Sequence, residues 1–524
     1  MIQKTKLLIS FFYTSLTPAT AYNKTPPFYL IIPTIFLILI VGLPILYLSI
    51  RTIEATNTAW EILFSFRSLQ TLGRSILLMV TVTLLSGVIA LPLAWITART
   101  NLPLRKVWTI LATLPLVIPS FIGAYLFNSA FGPRGLIQNL LEQPFGIDKL
   151  PDIHGLFGAT AVLTLLSYPY FFLTIRGSIN NIDPSMEESS RSLGHSTFST
   201  FIKITLPQLK PAIIAGSLLV SLYTLSDFGA VSLMRYETFT WTIYQQYQSS
   251  FDRNIAATLS LALVGFAILL LMMEGRERKK MKYYTSGPGT TRVYKTVQLG
   301  IWKWPAIGFC TVTVILSLIL PLTILIYWLI RGISSGEPLM MPWIEIGNSV
   351  YTSATACIIA VICSVPVAIL SVRHASLFSR IIDKVCYVGY ALPGIVVALT
   401  LVFFAINFMR PAYQTIWLLI FAYFVLFFPA ALGTTRASIL QINPKIEEAA
   451  RSLGRTSSEV MYYVTTPLIR PGILMGAALV FLLTMKELPA TLILSPLDFK
   501  TLATSTWSAS SEAYFTQAAI PAIC

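Results

Sequence analysis

The chain has 524 residues, of which 55% are hydrophobic and 11% charged; its mean hydropathy is +0.72 and its net charge +15. Soluble globular domains carry roughly a quarter charged residues, so this composition excludes a water-soluble enzyme, a disordered scaffold and a disulfide-stapled secreted domain. What remains is a polytopic membrane protein, whose positive charge reports basic cytoplasmic loops rather than nucleic-acid binding.

Residues 1–27 form a cytoplasmic N-terminus in this reading. Lys4 and Lys6, an apolar stretch and Ala19-Thr20-Ala21 imitate a signal peptide, but cleavage there would clash with the charge bias that follows. Apolar runs then predict 11 spans, at 28–50, 75–97, 107–129, 156–177, 211–233, 255–273, 305–330, 349–371, 385–406, 413–434 and 471–495. They are read as helices because a backbone in lipid must satisfy its own hydrogen bonds. With the N-terminus inside, cytoplasmic segments hold 26 of the 37 Lys and Arg, and the whole positive excess falls on that side. The densest stretch, Gly275–Lys282, lies in a basic linker spanning 274–304. Cys310, Cys357, Cys363 and Cys386 fall in apolar runs and read as small membrane-core residues. His154, His195 and His374 lie far apart on loops, so neither a catalytic constellation nor a metal site is expected.

The chain repeats itself. "DPSMEESSRSLGHSTFSTFIKITLPQLKP" begins at Asp183 and "NPKIEEAARSLGRTSSEVMYYVTTPLIRP" at Asn443, a constant offset of 260 residues. Agreement extends back to Arg176 and Arg436 and forward to Gly216 and Gly476. Upstream, the segments beginning at Gly73 and Gly347 match at an offset of 274, so the first copy carries 14 extra residues, assigned to the polar loop 131–155. Two fused modules follow, 28–273 and 305–524, and their shared orientation makes the repeat parallel.

Each repeated loop (178–211 and 436–471) predicts a helix–Gly–helix hairpin. Asp183 and Asn443 are N-cap residues, followed by Pro184 and Pro444 at the first helical position. Glu187, Glu188, Glu447 and Glu448 sit where a helix dipole favours acids. Gly194 and Gly454 supply the left-handed C-terminal residue. Thr456 and Glu459 have capping-box spacing. Pro207 and Pro467 are expected to end the second helix. A matched pair of such hairpins reads as docking levers for a cytoplasmic partner rather than as ordinary surface loops.

These loops resemble the EAA loop of membrane subunits in binding-protein-dependent ABC importers. Glu448, Ala449, Ala450, Gly454 and Pro467 follow that pattern closely; the first copy departs from it with Ser189 and Ser190 in place of the alanines. The resemblance implies an all-α permease whose loops, through Glu187, Glu188, Arg191, Gly194, Pro207 and Glu447, Glu448, Ala449, Ala450, Arg451, Gly454, Pro467, couple to an ATPase. Two loops imply two copies of that cytoplasmic ATPase, with a periplasmic substrate-binding protein on the other side of a bacterial inner membrane. No Gly-x-x-x-x-Gly-Lys-Ser/Thr run occurs, so the chain is expected to be no enzyme, to bind no cofactor and to leave ATP to its partner.

Segments from Leu114, Ser226 and Lys486 resemble the fused permeases of ferric-iron importers, with thiamine or phosphonate importers as the alternative. Asp227 and Glu487 occupy equivalent positions near span ends, where two carboxylates suit a hard cation. Local neutralisation of Glu487 by Lys486 and helix capping by Asp227 compete with that path role. A secondary transporter also shows repeats but does not need the paired loops. The second copy stops about seven apolar residues after Gln517, against the roughly 20 that a span requires, so a twelfth span is expected to be truncated.

Overall fold

The computed structural model describes residues 28–54, 57–132, 135–146, 151–182, 184–249, 253–280, 296–336, 341–374, 389 and 392–524. Asp183, Cys386 and residues 281–295 of the basic linker lie outside them. The described residues are helical throughout, apart from loops and one isolated bridge between Thr100 and Val297.

Nine helices among the described residues are long and apolar enough to cross a membrane. The two remaining expected spans are not among them, and residues 385–388, 390 and 391 of the one at 385–406 lie outside the described residues. The one at 107–129 breaks into Arg105–Thr113, a tight turn at Leu114–Val117 and Ser120–Phe131. Pro115 and Pro119 explain the break: neither has an N–H to donate, and Pro119 goes with an extended Ile118 (φ −72°, ψ 120°) before it. In the second copy Pro393, 274 residues after Pro119, caps Gly394–Phe408. That helix is about 22 Å long, short of the hydrocarbon thickness, and nearly all of it is buried. Other spans overshoot the expected limits. Phe66–Arg99 and Trp343–Arg373 carry their terminal arginines past the apolar run into the base of the hairpins.

The compact units do not follow chain order. One joins the first span to Gly347–Phe499; the other joins Arg51–Ile346 to Lys500–Cys524. The expected modules 28–273 and 305–524 have therefore exchanged segments. In the first unit the Tyr47 hydroxyl donates to the Phe403 carbonyl (3.2 Å) and accepts from Asn407 Nδ2 (3.1 Å), and Tyr47 meets Phe404 and Phe408 edge-on. In the second, Trp328 Nε1 donates to Ser129 Oγ, while Tyr125 stacks on Phe515 at 5.5 Å and donates its hydroxyl to the Phe515 carbonyl. Each leading span thus packs on the third helix of the opposite copy. Small spacers let the spans within a unit close up. A methyl at Gly216 would lie 2.7 Å from Thr174 Oγ1, and one at Gly476 2.5 Å from Thr434 Oγ1, the same contact in both copies.

Candidate functional site

The repeated hairpins form the candidate site. Pro184–Ser192 and Pro444–Ser452 are nine-residue helices. Asn443 caps the second, its side chain accepting the Lys445 N–H at 3.1 Å. Both end identically. Gly194 and Gly454 adopt φ of +86° and +89°. The Gly194 N–H donates to the Arg191 carbonyl and the His195 N–H to Ser190; Gly454 donates to Arg451 and Arg455 to Ala450. This paired arrangement is the Schellman stop, which satisfies the last carbonyls and needs a left-handed residue. In the second copy Thr456 Oγ1 accepts the Glu459 N–H and Glu459 Oε2 accepts the Thr456 N–H, a full capping box.

The adjacent glutamates differ. Glu188 and Glu448 are exposed. Glu187 and Glu447 are buried and turned inward, so they do not belong to the free surface expected of them. Glu447 Oε1 receives Arg373 Nη2 at 3.1 Å, Arg373 Nε at 3.3 Å and Thr465 Oγ1 at 3.2 Å. Arg373 Nη2 also donates to the carbonyls of Ile439 and Ile442. In the first copy Glu187 Oε1 accepts from Thr205 Oγ1 at 2.8 Å and lies 4.0 Å from Arg99 Nη2, which donates to the Ile182 carbonyl. Arg451 Nη2 approaches Glu447 Oε2 at 3.7 Å, whereas Arg191 is exposed. The hairpin tips present bare apolar side chains: Leu193 and Leu453 are 81% and 85% exposed, next to exposed Ala449 and half-buried Ala450.

Pro207 and Pro467 do not end a helix. They lie inside continuous spans, Phe201–Ser226 and Ser458–Met485. A wide turn at Phe201–Thr205 and at Met461–Thr465 precedes each proline. The Leu206 and Thr466 N–H groups bond five residues back, to Phe201 and Met461. The wider turn makes room for a ring that an α-turn would reject.

Asp227 and Glu487 act as helix caps. Asp227 Oδ1, buried, accepts the N–H groups of Ala230 (3.0 Å) and Val231 (3.2 Å) and hydrogen-bonds Ser120. Glu487 Oε1 accepts the Ala490 N–H at 3.2 Å. The residue equivalent to Ser120 is Gly394, where an added methyl would meet Glu487 Oε1 at 2.3 Å. The longer glutamate therefore occupies the space that Ser120 fills in the first copy. Lys486 is half-buried.

The family model for the inner membrane component of binding-protein-dependent transport systems matches residues 90–335 and 360–524. The Fe(3+)-transport system permease of Haemophilus influenzae is 36% identical over 94% of this chain and 95% of its own length. A ferric transport system permease of Actinobacillus pleuropneumoniae is 24% identical over 82% of this chain and 65% of its own. The molybdenum transport system permease of Escherichia coli is 30% identical over 38% of this chain and 90% of its own. The chain belongs to this permease family. It is a multi-pass inner-membrane permease of an ABC importer.

Four residues that hold the hairpin glutamates escape a sequence reading of the loops: Arg99, Arg373, Thr205 and Thr465. Each pair keeps the repeat offset, 274 for the arginines and 260 for the threonines. A charged residue closing both copies of a repeated apolar segment is the signal that could have found the arginines. The histidines stay apart; His154 pairs with Asp152, whose carboxyl the His154 backbone N–H holds below its ordinary value.

Proposed function

We propose that this permease imports ferric iron handed over by a periplasmic binding protein, driven by ATP hydrolysis on two cytoplasmic ATPase subunits. The N-terminus and both hairpins lie on the cytoplasmic side, consistent with the charge bias. Each hairpin docks into one ATPase cleft through Glu188, Ser189 and Arg191 in the first copy and Glu448, Ala449, Ala450 and Arg451 in the second. Gly194 and Gly454 set the angle of the tip. The observation that carries the reading is the repeated Schellman-stopped hairpin, with an exposed leucine beside an exposed acidic and small-residue face. A helix so short is marginal alone, and its apolar tip favours burial against a partner.

Iron is favoured by the similarity to two ferric permeases along most of the chain. An oxyanion such as molybdate is the second reading, favoured by the shorter match to a molybdenum permease. Uptake of radiolabelled Fe(III) and molybdate by a deletion strain separates them: loss of iron uptake alone supports the first reading, and loss of molybdate uptake alone the second. A path role for Asp227, Lys486 and Glu487 belongs to the same proposal, and any ion contact then competes with the helix caps. Asp227→Asn with Glu487→Gln keeps the accepting oxygens and removes the charge. Lower uptake with normal assembly supports the path role; unchanged uptake leaves the carboxylates as caps alone.

A further inference from the structure

In each copy one buried guanidinium joins four elements. Arg373 ends the span Trp343–Arg373, donates to the carbonyls of Ile439, in the last turn of Ile416–Gln441, and of Ile442, which caps it, and grips Glu447 in the first turn of the hairpin. Through the same Glu447 oxygen the contact reaches Thr465, the last residue of the wide turn. Arg99, Ile182, Glu187 and Thr205 repeat the arrangement. A buried ion pair loses most of its Coulomb gain to desolvation, and apolar side chains of the same size would pack as well. They would not fix direction or register. The cluster residues are buried, whereas the leucine tips are exposed, so the clusters are not the surface a partner touches. Each sits on a wide turn that holds one residue more than an α-turn, a common feature of functional joints.

We propose that Arg99–Glu187–Thr205 and Arg373–Glu447–Thr465 are positioning residues, two clamps that transmit movement of a docked hairpin into the spans of its own unit, with the wide turn as the joint. This rests on the docking reading above. The clamp makes the hairpin, the ends of two spans and the start of a third move as one piece. Loosening it lets the hairpin follow the ATPase while the spans stay behind.

The test uses the permease with its ATPase and binding protein in proteoliposomes, measuring ATPase co-purification, ATP hydrolysis and Fe(III) imported per ATP. Glu447→Gln keeps size and an accepting oxygen but removes the charge, and Arg373→Lys keeps the charge but loses the guanidinium fork; both weaken the clamp. Thr465→Val removes one hydroxyl, and Thr465→Ser restores it if the valine variant fails. The expected result is retained ATPase and continued hydrolysis, with import per ATP reduced about tenfold or more in Glu447→Gln, less in Thr465→Val, and recovered in Thr465→Ser. Unchanged import per ATP overturns the proposal. Loss of ATPase in proportion to import also overturns it, since the cluster would then serve docking. Leu453→Asp reports on docking separately: if that variant keeps its ATPase, the docking reading fails whatever the clamp variants do.

Discussion

Glu447 and Glu448 are chain neighbours with opposite surroundings, and substitution should separate them. Glu447→Ala leaves Arg373 charged and buried without its carboxylate, which costs about 3–5 kcal/mol, so the melting temperature of the detergent-solubilised permease should fall clearly. Glu448→Lys touches only the exposed face; it should melt normally and bind its ATPase poorly. Equal melting temperatures for the two variants would contradict the burial that divides them. Thr456→Ala removes the cap oxygen that accepts the Glu459 N–H and should cost about 1 kcal/mol of stability, read from the melting temperature. These local devices were legible because caps and stops act over a few residues, and Asn443, Thr456 and Gly454 announce them. The clamps were not legible: Arg373 and Glu447 are 74 residues apart, and nothing in the loop names its partner.

Among elements, the hairpin angle depends on one backbone position. Gly454→Val places a β-branched residue at φ of +89°, which strains that residue by at least about 1–2 kcal/mol. Uptake should be lost while the protein remains in the membrane. Gly454→Asn tolerates left-handed geometry better and should keep part of the uptake. Equal uptake in both variants would rule out the backbone argument. Hydropathy read the long spans well because length and composition decide them. It failed at the third helix of each copy. There an apolar run hides Pro119 and Pro393, and a window average ignores the missing N–H groups. Pro207 and Pro467 were expected to end a helix because proline breaks α-turns, although a wide turn lets each helix continue.

At the scale of the whole molecule, the repeat revealed two copies but not their exchange of segments. An apolar span packs on whichever partner fits its side chains. Tyr47 and Trp328 make their hydrogen bonds with the third helix of the opposite copy, which chain order does not encode. Orientation has a direct check. In intact spheroplasts a membrane-impermeant thiol reagent should label Glu237→Cys and spare Leu453→Cys; the reverse pattern would invert the topology. The central claim is that both hairpins seat in ATPase subunits, and cross-linking tests it most directly. Leu193→Cys and Leu453→Cys are introduced singly into a permease without other cysteines and paired with single-cysteine ATPase subunits. The account predicts that each tip cross-links to an ATPase with similar yield and that extra unmodified ATPase competes the product away. Cross-linking from neither tip, with the assembled complex intact, would contradict it.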